Sequence, residues 1–312
     1  MKLSTRGLLA AAAVALVLVA LTPTHAYAWG PGTHAYLSWQ VLQSLHLVPE
    51  AIRAVLTAYP YDFIYGSLAA DISLAKKYVP EGRHCHHWHV GEEIEAAARD
   101  QRLQAVGLGY LTHLAADTIA HNYYVPRQLL LTSSTKGLGH SYWEARMDQH
   151  MGDEYTGLAR YAVMGHDHSA ADKLFDEVLS GTLFSFRTNR RIFRGLIRFQ
   201  DNDRWQNIFG TILTMSRWEL TDMTVQQYVV RSFDYVIDYL QRREAAIPRA
   251  LDPIGEANLD LSKKVRRMAL RDGAAERPRV LAEMANEFFP LPDVPYGHLL
   301  KQNGSTAKPP RF

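Results

Sequence analysis

From residue 29 onward, apolar positions recur every three to four residues, the spacing that lines one face of a helix. No stretch alternates convincingly with the period of two expected of a half-buried strand. Thr33 is placed to cap a helix over 35–47, and Pro49 to open another that carries Ile52, Val55 and Leu56. The same periodicity predicts helices over 92–104, 106–124, 141–151, 170–179, 189–199, 205–216, 225–243, 262–270 and 279–288. The 106–124 segment is apolar on most sides, as befits a helix in the middle of a bundle. Loops are expected at 76–90, 125–139 and 164–168. The expected fold is all-α: a single multi-helix domain over 29–300, with its motifs in 29–151 and further helices over 152–300. A polar, Pro-rich flexible tail is expected over 301–312. The alternative organisation makes everything beyond about Arg187 a separate helical lobe, hinged over 180–191.

The first 28 residues follow another pattern. Lys2 and Arg6 precede an apolar run from Gly7 to Leu21, and Ala26-Tyr27-Ala28 closes the segment. A basic start, an apolar middle and an A-x-A end predict a secretory signal peptide cleaved after Ala28, and the run is short for a membrane span. Export to the periplasm or the medium follows, with Trp29 as the first residue. The chain carries 34 basic and 32 acidic side chains; loss of Lys2 and Arg6 balances them. Such a balance argues against a strongly electrostatic polyanion binder, although a local basic groove is compatible with it. The single cysteine, Cys85, excludes an internal disulfide framework.

Fourteen histidines carry more information than the charge. His113-x3-Asp117-x3-His121 sets three metal-competent groups at i, i+4 and i+8 among apolar neighbours, so one helical stripe faces an interior. A buried carboxylate there is costly unless a cation neutralises it. His140-x3-Glu144-x3-Asp148 repeats the spacing on a second helix, and His84-Cys85-His86-His87-Trp88-His89 packs four imidazoles into six residues. Asp71 lies between small residues. Taken singly, each pattern has a structural explanation: a surface pair, a solvated tract, a helix cap. Together, carboxylates and imidazoles make a typical zinc ligand set. If cleavage follows Ala28, the Trp29 α-amine and carbonyl oxygen can chelate the same ion that His34 reaches.

These segments, W-G-P-G-T-H at 29–34, A-A-D-I-S around Asp71, G-Y-L-T-H-L-A-A-D at 109–117 and H-S-Y-W-E-A-R-M-D at 140–148, resemble the zinc-dependent phospholipase C family. More distantly they are similar to the single-strand-specific zinc nucleases that share its fold. The resemblance implies three zinc ions in an all-helical domain. One would take Asp71, a histidine of the 84–89 loop, His113 and Asp117; a second would take His121, His140 and Glu144; a third would take Trp29 and His34, with Asp117 as the bridge. Two departures stand out. The family's histidine lies six residues after the bridging aspartate, where this chain has Tyr123, and His121 lies only four on. His86 and His89 compete for one position: His89 is favoured by motif appearance, His86 by its spacing from Asp71.

The implied activity is a metal-activated phosphodiester hydrolysis with Asp71 as the catalytic carboxylate. A phospholipid or a membrane surface would be the partner, with Tyr123 and Tyr142 lining the substrate path. No protein partner is implied, and a monomer is expected. Nucleic acid ranks below phospholipid. A zinc nuclease and a non-catalytic zinc-binding protein are the competing readings.

Overall fold

The computed structural model describes residues 29–73, 79–132, 137–179, 184–200, 210–211, 216, 218–273, 277–301 and 307–310. The signal-peptide segment, and almost all of the helix expected over 205–216, lie outside the described residues. Among the described residues every regular element is helical. They are α1 (Pro31–Gln43), α2 (Glu50–Ala58), α3 (Pro60–Ala69), α4 (Trp88–Ala96), α5 (Gln101–Ile119), α6 (Val125–Leu131), α7 (Gly137–Met151), α8 (Asp153–Met164), α9 (Ser169–Val178), α10 (Phe186–Gln200), α11 (Asp222–Arg242), α12 (Glu256–Arg271), α13 (Pro278–Phe288) and the single turn α14 (His298–Lys301).

The periodicity located most of these elements, and the differences have local causes. α1 begins at Pro31, with Gly30 rather than Thr33 at the cap position. The helix expected over 92–104 is two helices: α4 ends at Ala96, and the Asp100 carboxylate accepts the Leu103 N–H at 2.8 Å to start α5 afresh. The loop expected over 125–139 holds α6, which continues from α5 through a π-helical turn over Ala120–Tyr124. α3 and α8 are helices that the pattern left unassigned.

α5 is the central strut, buried on nearly every face from Leu103 to Ile119, with α3, α4 and α11 against it. Two glycines permit the closest approach. A Cβ on Gly66 of α3 would lie 2.1 Å from the Val106 carbonyl oxygen, and one on Gly109 of α5 would lie 2.1 Å from that of Phe63. α1 lies across α3 and α8, and α7 packs on α1. One buried apolar cluster runs from Trp29 to Leu259, so helices on both sides of Arg187 share it. A second, smaller cluster joins α6 to α12 and α13 through Leu130, Val265, Leu281 and Phe289. In the tail, the Trp39 indole donates to the Ala307 carbonyl at 2.6 Å and Lys308 pairs with Glu154 at 2.6 Å.

Candidate metal centre

Asp117 is wholly buried near the C-terminal end of α5, and four other side chains converge around it. One turn earlier on the same helix, His113 places Nε2 3.1 Å from Asp117 Oδ2. α1 delivers His34, whose Nε2 lies 3.3 Å from Asp117 Oδ1 and whose ring stacks on His113 with centroids 3.8 Å apart. Asp71 follows the end of α3, where its N–H still bonds to the Leu68 carbonyl. The loop before α4 brings in His86, with Nε2 3.3 Å from Asp71 Oδ1 and 3.3 Å from His113 Nε2. The ligand atoms of His34, Asp71 and His113 lie within 4.8 Å of one another, as do those of His86, His113 and Asp117.

These donors fit a cation better than they fit one another. His113 Nδ1 lies 2.7 Å from the Ser67 carbonyl oxygen and must carry the proton that this acceptor requires. In the neutral ring, Nε2 is then a lone pair aimed at the Asp117 carboxylate. His34 Nε2 and both Asp117 oxygens are buried without a hydrogen bond of acceptable geometry, despite their close approach. Burial, followed by His113, pushes the His34 imidazole down, so the ring is neutral and competent as a ligand at neutral pH. Burial opposes ionisation of Asp117, but His113 and His34 hold its carboxyl well below the usual carboxylate range. Converging lone pairs and a carboxylate in a dry interior, all from imidazole and carboxylate groups, match the donor chemistry of zinc.

A second group adjoins the first. On α7, His140 Nε2 lies 3.0 Å from Glu144 Oε1, one turn apart. His121 sits in the π-helical turn, with its ring centroid 5.4 Å from that of His140 and 6.4 Å from that of His86. Its Nδ1 donates to the Pro253 carbonyl at 2.6 Å, which leaves Nε2 as the acceptor. Asn122 fastens the same turn, donating to the carbonyls of Thr118 and Asp252 while Asn258 donates to its side-chain oxygen. Gly255, at φ 62°, lets the following chain pass: a Cβ there would lie 2.5 Å from the His121 carbonyl oxygen. The C-terminal half, which carries no legible motif, thus orients one of the motif histidines.

Of the two competing loop histidines, the structure brings His86 into the cluster and leaves His89 exposed, its ring stacked on His87 at 5.3 Å. Helix α4 begins at Trp88, and His86 lies just ahead of it, turned inward. Cys85 is buried, and its carbonyl accepts from the Tyr110 hydroxyl. The Trp29 indole is wholly buried and donates to the Ala116 carbonyl at 3.1 Å, next to Asp117 in sequence. Tyr123 is half-buried, and the Tyr142 hydroxyl donates to Ser216 Oγ at 2.7 Å while accepting from Arg146.

Asp148, third in the α7 pattern, serves α1 instead. Its carboxylate accepts from the Gly32 and Thr33 N–H groups at 2.9 and 2.8 Å and from the Thr33 hydroxyl at 2.6 Å. This closes two amides in the first turn of α1 and fixes the segment that carries His34. Burial pushes Asp148 up to about 6, against the pull of those donors. The sequence-based reading missed Ser67, Pro253 and this use of Asp148. Backbone carbonyls leave no signature in residue type, and a carboxylate that caps a helix more than a hundred residues away looks like any other.

Residues 33–185 match the model of zinc dependent phospholipase C. This segment belongs to the zinc-dependent phospholipase C family. The matched segment contains every converging histidine and carboxylate named above, together with α1 through α9 except for the first residues of α1. It stops short of Pro253, the carbonyl that orients His121. No curated protein and no solved structure matched the chain.

Proposed function

We propose that the chain is an exported zinc-dependent phospholipase C that hydrolyses phospholipid to diacylglycerol and a phosphorylated head group. The observation that carries this reading is the buried convergence of His34, Asp71, His86, His113 and Asp117 within a phospholipase C family segment. His86, His113, Asp71 and Asp117 would hold one zinc, and His121, His140 and Glu144 a second. His34, with the Trp29 amine and carbonyl oxygen and with Asp117, would hold a third. Bound zinc supplies Lewis-acid neutralisation of the phosphate charge and makes water a stronger acid.

The remaining chemistry belongs to side chains. Asp71 orients the attacking water and accepts its proton as oxygen adds to phosphorus. The bond from phosphorus to the glycerol oxygen breaks, and that oxygen takes a proton from solvent. Ser67 and Pro253 hold His113 and His121 in the tautomer that keeps Nε2 unprotonated. Tyr123 and Tyr142 border the substrate path. No covalent protein intermediate is needed. Cleavage after Ala28 creates the amine that completes the third site.

The test is zinc stoichiometry on protein beginning at Trp29, beside a form with one extra residue ahead of it, each assayed on a phosphatidylcholine analogue and on single-stranded DNA. Three zincs, falling to two with lost activity in the extended form, support the reading. Preference for DNA would move the protein to the nuclease branch. One zinc or none, with neither substrate cleaved, sinks the enzyme reading.

A further inference from the structure

Outside the metal centre, helix α10 carries charge of one sign only. Its fifteen residues include Arg187, Arg190, Arg191, Arg194 and Arg198 and no acid, in a chain of 34 basic and 32 acidic side chains. At 100° per residue, all five fall within about 100° of arc. Phe193 and Ile197 face the core from another side of the helix. The arginines, with Met164 of α8, line a cavity of about 510 Å³.

One carboxylate meets this group among the described residues. Asp172 of α9 pairs with Arg190 at 2.6 Å while accepting from the Tyr65 hydroxyl and lying 3.1 Å from His168 Nδ1, so Arg190 is held in place. Arg194 donates to the Met164 sulfur, and Arg187, Arg191 and Arg198 meet no carboxylate of the described residues. Like charges three and four residues apart destabilise a helix, and a merely solvated face ordinarily mixes signs. Phe184, just ahead of α10, is 37% exposed, and Ile192, on α10 about 100° beyond the nearest edge of the arc, is 36% exposed.

We propose that this surface docks the protein on a bilayer of anionic phospholipids, with lipid phosphates seated among the arginines and Phe184 and Ile192 in the interfacial layer. It is separate from the metal centre and rests on the phospholipase reading, because it would hold the enzyme where its substrate is. Charge complementarity selects an anionic partner. The exposed Phe184 and Ile192 favour a lipid surface over a nucleic acid, whose phosphates offer them nothing to enter.

The experiment is co-sedimentation of the zinc-loaded full chain with vesicles of phosphatidylcholine alone or mixed with phosphatidylglycerol, at low and high salt. The comparison proteins are the triple variants Arg187→Gln/Arg191→Gln/Arg198→Gln and Arg187→Lys/Arg191→Lys/Arg198→Lys. Wild-type protein should partition onto the mixed vesicles in a salt-sensitive way. The Gln variant should lose roughly 100-fold in partitioning, and the Lys variant should retain it. Hydrolysis of a water-soluble monomeric phosphodiester should be unchanged in both. Equal binding to both vesicle types, or a Gln variant that binds like wild type, overturns the proposal. So does a single-stranded oligonucleotide that binds through these arginines and displaces the vesicles. A protein that docks but hydrolyses neither lipid nor soluble substrate would keep the docking surface and remove the phospholipase reading.

Discussion

Asp117 faces His34, His113 and His86 at distances of 3.1 to 3.8 Å, and it has no hydrogen-bonded alternative for its charge. Asp117→Asn should therefore lower zinc content by at least one ion and activity by about 100-fold or more, read by metal analysis and a phosphodiesterase assay. The loop histidines separate more sharply. His86→Ala should behave like the Asp117 variant, whereas His89→Ala, at an exposed position, should stay within a few-fold of wild type. The opposite ranking would place the ligand at His89. Asp148 gives a pH signature, because burial raises its folded-state pKa to about 6 from an ordinary 3.8. Between those values the folded protein holds a proton that the unfolded chain has released. The Asp148 contribution to stability is thus complete below 3.8 and is lost as pH rises through about 6. Denaturation of wild type and Asp148→Asn in chelator should show a wild-type stability that falls more steeply across this window, by up to about one proton per molecule.

Between helices, the positions of the candidate ligands depend on how closely α5 can approach α3. Gly109 is part of the G-Y-L-T-H-L-A-A-D segment because a side chain there would enter the Phe63 carbonyl at 2.1 Å. The same approach lets His113 reach the Ser67 carbonyl. Gly109→Ala should destabilise the fold by about 1–3 kcal/mol and weaken zinc binding in parallel, measured by thermal unfolding and zinc titration. A variant with wild-type Tm and affinity would show that the helices can separate without disturbing the site. The π-helical turn after α5 has a comparable role. It carries His121 against the 252–255 segment, and through that contact residues beyond the family match support the centre.

Across the whole molecule, the donors come from α1, the end of α3, the loop before α4, α5 and α7, so a bound cation ties distant parts of the chain together. Removal of metal should lower Tm by roughly 10 °C, since binding at a thousandfold excess over Kd contributes about 4 kcal/mol. Calorimetry with and without chelator checks this, and an unchanged Tm would mean that the cluster is stable without an ion.

Helical class, the central position of α5 and most of the candidate ligands can be read from linear order, because helical spacing repeats locally and a four-residue step puts His113 above Asp117 whatever surrounds them. His140 and Glu144 follow from the same rule. Which imidazole of the 84–89 loop turns inward cannot be read that way, since adjacent residues of one type differ only in where the next helix begins. The same holds for Asp148, whose partners lie 115 and 116 residues away, and for the carbonyls of Ser67 and Pro253. Hydrogen bonds to backbone atoms and charges paired across the fold depend on the packing of helices far apart in sequence, and spacing along one helix carries no information about that packing.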